Sequence, residues 1–112
     1  MLRWFARQLL EFAKTESGAL VEFPLTAIRI GKDFGIVSLP GEPFAEIGMA
    51  IKQGSPCDKT FVVSLANGQC GYVPLQECYA RGGYEQLIVT MGGGSTDMAA
   101  TMVEYGHKAL SQ

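Results

Sequence analysis

Histidine and tryptophan each occur once in this chain, as His107 and Trp4, and charge of one sign never gathers into a run. Nine basic and eleven acidic residues are scattered singly, for a net charge of −2 over 112 residues. Such a surface offers no electrostatic footprint for DNA or RNA, so no nucleic-acid partner is expected. Long apolar runs are missing too. A membrane span needs roughly 20 consecutive apolar residues, and no stretch approaches that. The opening "MLRWFARQLLEFAK" is broken by Arg7 and Glu11 and has no small-residue cleavage site, so it does not read as a signal peptide, and the expected location is cytoplasmic. Cysteine is sparse and odd in number. Cys57, Cys70 and Cys78 are spaced by 13 and 8, which fits neither a disulfide framework nor a zinc knuckle, and free thiols are expected. A Cys–His nucleophile pair would depend on His107 and would have no third group to orient it.

What the chain does have is apolar content, 47%, enough for one core in a chain of this size. One domain over residues 1–112 is expected. Residues 2 to 14 set Leu2, Phe5, Leu9, Phe12 and Ala13 at helical steps, with Arg3, Arg7, Glu11 and Lys14 on the other face. "TESG" ends that helix. "ALVEF", "LTAIRI" and "FGIVSL" then read as short strands, the last two forming a hairpin through "GKDFG". A helix is expected from Pro43, with Phe44, Ile47, Gly48 and Ile51 on one face and "GSP" as its stop. "TFVVSLA" reads as a strand buried on both sides, "VPLQECYARGG" as a short helix, and "YEQLIVTM" as another strand. Ser95 or Thr96 is expected to cap a final helix with Met98, Met102, Tyr105 and Ala109 inward. The order αβββαβαβα describes an α/β (α+β) domain, a mixed β-sheet covered by helices.

Three strand-to-helix connections are places where such folds keep their sites. "GGGST" has the geometry of a phosphate cradle but lacks the Walker lysine and the dinucleotide glycine pattern, leaving anion binding and a plain turn as alternatives. In "SLPGEPFAEIG", Glu42 can cap the helix that follows or face a pocket and hold a metal. Tyr72 and Tyr84 stand twelve residues apart on either side of a short helical stretch, which also suits two aromatic rings packed at sheet edges with wet hydroxyls.

"SLPGEPF", "TFVVSLANGQCGYVP" and "YARGGYE", in that order, resemble the C-terminal part of the catalytic domain of neutral ceramidases and their bacterial relatives, over about residues 20 to 90 and more loosely in the last helix. Members of that family are zinc amidohydrolases that cleave the N-acyl bond of ceramide. The resemblance implies that Glu42, of the "PGE" motif, and Tyr72, of "GYV", are zinc ligands. It implies that Tyr84, of "YE", lies at the scissile amide and stabilises the developing oxyanion. The family's zinc also takes two histidines from a region ahead of "PGE", and His107 matches neither. A catalytic zinc generally takes three protein ligands, so the expected zinc binding of this chain alone is weak or absent. The implied partners are a separately encoded N-terminal half or further copies of the chain, and the implied substrate is a lipid amide. A non-catalytic oligomerising module on the same scaffold and a small-molecule or phosphate-binding domain using "GGGST" are the alternatives.

Overall fold

The computed structural model describes residues 22–91 and 94–112. The expected helix over 2 to 14 and the first three residues of "ALVEF" lie outside them. The described elements form an α+β fold, a mixed sheet with helices against it. Strands β1 (Thr26–Ile30) and β2 (Phe34–Ser38) form the expected antiparallel hairpin, with Ile30 opposite Phe34 and Gly31 at φ +61 in the turn. A left-handed residue there suits glycine, which has no Cβ to crowd the carbonyl. After β2 the chain forms β3 (Glu42–Pro43) and helix α1 (Ala45–Gln53), then returns as β4 (Lys59–Val63), parallel to β2 with Phe34 opposite Lys59. The three-stranded order is β1-β2-β4.

Beyond β4 come β5 (Tyr72–Val73), a single 3-10 turn (Gln76–Cys78), α2 (Tyr84–Met91) and α3 (Met98–Ser111). Helix α1 packs on β4, α3 packs on β1 and β2, and the two helices meet each other. The core therefore lies under one face of the sheet, where Val37, Leu39, Ile47, Ile51 and Leu110 are fully buried. Arg29 reaches from β1 to the C-terminal end of α3, its Nη1 donating to the Leu110 carbonyl at 3.1 Å. That contact satisfies a carbonyl the helix leaves without an internal partner.

Four expectations are corrected. "YEQLIVTM" is a helix, not a strand. Its Ile88, Val89 and Thr90 favour strands, but Tyr84, Leu87, Ile88 and Met91 fall at helical spacing, and packing on β5 settles the matter. β4 is not buried on both sides. It is an edge strand, with Thr60 and Val62 turned to the core and Phe61 and Val63 exposed. The expected helix over 73 to 83 shrinks to the 3-10 turn, Val73 being taken by β5. In α3 the inward face is Ala99, Met102, Gly106 and Leu110, while Tyr105 is exposed beneath Lys108 Nζ, 5.0 Å from its ring centre. Gly106 takes its inward position because α1 lies close there, and a Cβ on it would stand 3.0 Å from Ile51 Cδ1. Among the described residues no helix is long and apolar enough to cross a membrane.

Candidate functional site

The segment after β2 begins by continuing along β4, the Leu39 amide donating to the Val63 carbonyl at 2.8 Å. It then changes partner. Gly41 takes φ +64, and a Cβ there would overlap the Gly71 carbonyl and lie 2.5 Å from Cys70 Sγ. Only glycine fits this bend. One residue later the Glu42 amide donates to the Gly71 carbonyl at 2.8 Å, and Phe44 follows with a 3.0 Å bond to Val73. Glu42 thereby stands directly opposite Tyr72 in the parallel β3–β5 pair. In-register residues of neighbouring parallel strands lie about 4.8 Å apart and project to the same side.

The loop that delivers β5 is tied to the first sheet. Asn67, at φ +63, donates through Nδ2 to Ser38 Oγ at 2.8 Å and to Thr26 Oγ1 at 3.1 Å. Gly41 closes the same knot, accepting from the Leu65 amide at 2.8 Å and donating to Gly68 at 3.0 Å. Leu65 itself is left-handed at φ +54, a conformation that costs a leucine about 1–2 kcal/mol. Strain of this kind persists only where the surroundings over-determine it, and here it sits beside the Glu42–Tyr72 pair.

Tyr72 is the hub of the cluster. Its ring meets that of Tyr84, the first residue of α2, edge to face, with centroids 5.9 Å apart and planes at 70°. Tyr84 is 55% exposed, so the pair opens to solvent. The Glu42 carboxylate pushes the Tyr72 hydroxyl above its ordinary titration range, helped by partial burial and then by Tyr84 and Glu85. The result is an oxygen-rich, electronegative patch in which Tyr72 is held as a neutral phenol. The patch follows the C-terminal ends of the parallel strands β2 and β4, where ligands of open α/β sheets gather.

The three sequence-derived site residues thus meet around Tyr72. Glu42 is not the cap of α1, because Phe44 occupies the N-cap position and the first-turn acid is Glu46. Glu85 and Gln86 were not singled out from sequence. Glu85 acts on Tyr72 electrostatically, and Gln86 is buried with an Oε1 that finds no partner among the described residues. The signal for both was the helical spacing of "YEQLIVTM", which places them in the first turn beside Tyr84.

The remaining candidates are occupied elsewhere. His107 points Nε2 at the Ala50 carbonyl, 3.1 Å away, and packs against Gly54, where a Cβ would overlap its ring. It bridges α3 and α1. All three cysteines are free, as expected, and burial pushes the Cys70 thiol up, away from the reactive thiolate. At "GGGST", Gly92 and Gly93 lie outside the described residues. Asp97 occupies the N-cap position of α3 without a side-chain capping bond, so neither Ser95 nor Thr96 is the cap, and Ser95 Oγ donates to the Asp97 carboxylate instead. A carboxylate at that helix end repels a phosphate. A cavity of about 250 Å³ lies between α1, the 3-10 turn and α3, lined by Glu46, Leu75, Glu77 and Val103 among others, and it contains none of the three site residues.

Among the described residues no group of three or more His, Cys, Asp and Glu side chains is placed to hold a metal. Glu42 and Tyr72 offer two oxygen donors, below the three protein ligands of a catalytic zinc. By themselves they do not make a zinc site. The chain matches no protein-family model, no curated protein and no solved structure.

Proposed function

We propose that this chain carries part of a zinc amidohydrolase site of the ceramidase kind, with Glu42 and Tyr72 as two oxygen ligands and Tyr84 at the scissile amide of a lipid-like substrate. The observation that carries this reading is the register of β3 on β5, which sets Glu42 opposite Tyr72 although 30 residues separate them in sequence. The resemblance of "PGE" and "GYV" to the family's motifs implies ligand roles for Glu42 and Tyr72, and the register of β3 on β5 is consistent with a shared role.

The missing donors come from a polypeptide segment rich in imidazole. A second copy of this chain is a poor source, since each copy has one histidine and His107 is engaged between α1 and α3. Zinc, when bound, supplies the Lewis acidity for amide hydrolysis. The chain's own residues do the rest. Glu42 contributes the negative charge, and Tyr72 contributes a phenol whose proton is retained until a cation offsets that charge. Tyr84, at the solvent-facing start of α2, donates a hydrogen bond to the amide oxygen as negative charge grows on it.

The test measures zinc after dialysis, and turnover of a fluorogenic ceramide, for the chain alone and for the chain mixed with a fragment carrying paired histidines. Alone, the chain is expected to retain little zinc and show no turnover. Mixed, it is expected to gain both, and Glu42→Gln and Tyr72→Phe are expected to weaken zinc retention while Tyr84→Phe lowers turnover with zinc retained. Stoichiometric zinc on the mixture that is indifferent to both Glu42→Gln and Tyr72→Phe would overturn the proposal.

A further inference from the structure

Among the described residues, no element covers the largely apolar face of the β1-β2-β4 sheet opposite α1 and α3. Register places Ile28, Ile36 and Phe61 in one cross-strand row and Ile30, Phe34 and Lys59 in the next. Ile28 and Phe61 are each 54% exposed and Ile30 is 62% exposed. Val63, at the end of β4, and Leu65 beyond it extend the surface. Contiguous apolar patches of more than a few hundred Å² are rare on monomers and mark contact surfaces.

We infer that the occupant of this face is the chain's own segment 2 to 14, docked through its Leu2, Phe5, Leu9 and Phe12 stripe as the outer layer of a helix–sheet–helix sandwich. Thirteen residues of helix span about 20 Å at 1.5 Å per residue. A five-residue strand spans about 17 Å, so a helix laid along the strands covers both rows. The connection reaches. Eight residue steps separate Lys14 from Glu22, and an extended chain of that length covers up to about 26–29 Å. The described chain also enters at the right end. Phe23 lies against Gly68, just before Thr26, which pairs with Ser38 at the end of this face.

The tether decides between this occupant and a second copy. A segment tethered by a short linker meets its site at an effective concentration of about the millimolar range. A second copy in dilute solution must compete with that. The polar side of the segment, Arg3, Arg7, Glu11 and Lys14, then faces water, as the outer face of a sandwich requires.

Trp4, the one tryptophan, lies beside the stripe and reports on docking. In the full chain its emission is expected to be blue-shifted and poorly quenched by acrylamide at every protein concentration, with amide exchange slowed over residues 2 to 14. Phe61→Asp, or the milder Ile28→Ser should the first fail to fold, is expected to shift the emission to the red and abolish that protection. Glu104→Lys, on exposed α3, is expected to do neither. A quenchable Trp4 with fast exchange over 2 to 14 in the wild-type chain overturns the inference. Protection that appears only as the protein dimerises in sedimentation overturns it in favour of a second copy.

Discussion

Tyr72 is the residue on which the site's electrostatics turn. Its hydroxyl is pushed above its ordinary value first by the Glu42 carboxylate, then by burial, Tyr84 and Glu85. Glu42→Gln removes the largest of these causes, so the Tyr72 hydroxyl is expected to titrate lower in that variant, read from the tyrosine ring signals by NMR. An unchanged titration would mean that the carboxylate points away from the phenol. The same shift fixes a pH dependence of stability. A tyrosine whose pKa is raised on folding holds its proton longer in the native state than in the unfolded one. Its stabilising effect is complete below the unfolded pKa of about 10 and is lost as pH rises through the folded value. Urea midpoints of the wild type are therefore expected to fall more steeply above about pH 10 than those of Tyr72→Phe.

Among the elements, β3 depends most on a single bend. Gly41→Ala forces a Cβ onto the Gly71 carbonyl at a left-handed position, whereas Gly31→Ala meets the same kind of φ with nothing within 4 Å of the new atom. The turn substitution is expected to cost about 1–2 kcal/mol from conformation alone. The bend substitution is expected to cost more and also to separate Glu42 from Tyr72, which urea titration and the Tyr72 ring shift can check together. Equal costs would mean that the bend tolerates a side chain. Sequence showed parts of this scale well. The hairpin was legible because "GKDFG" lies between two β-branched runs, and α1 because Ile47 and Ile51 repeat at helical spacing. The identity of α2 was obscured by Ile88, Val89 and Thr90, whose local preference the helix overrides. The pairing of Glu42 with Tyr72 has no signal in local sequence pattern. Nothing local announces a contact across 30 residues that depends on left-handed Gly41, Leu65 and Asn67 acting together.

At the scale of the whole fold, helices that approach closely cover one face of the sheet, and among the described residues no element covers the other. The close approach rests on Gly106, which sits against Ile51. Gly106→Val is expected to destabilise the chain by about 1–3 kcal/mol through overpacking, measured by urea unfolding, and to leave the Tyr72 titration unchanged because the site lies at the other end of α1. A neutral result would show that α1 and α3 can move apart freely. Periodicity announced α1 and α3 as amphipathic helices, but the choice of Gly106 over Tyr105 for the inside of α3 reflects the distance between two helices, which no single helix encodes.

The change of partner at Gly41 also has a meaning in time. The hairpin closes over at most 12 residues, from Thr26 to Ser38, and the β2–β4 pairing over 25, from Phe34 to Lys59. The β3–β5 pairing spans 30 and gains only two residue pairs for that closure. Loop-closure entropy grows slowly with length, so the small reward rather than the long span makes this step late. The Glu42 amide, bonded to Gly71, is therefore expected to exchange with solvent faster than the paired amides of β2 while the hairpin remains intact. Slower exchange at Glu42 than in β2 would reverse this order. Glu42 and Tyr72 are then the last to assemble and the first to part, and under the proposed function a ligand that bridges them acts as the closing step of folding.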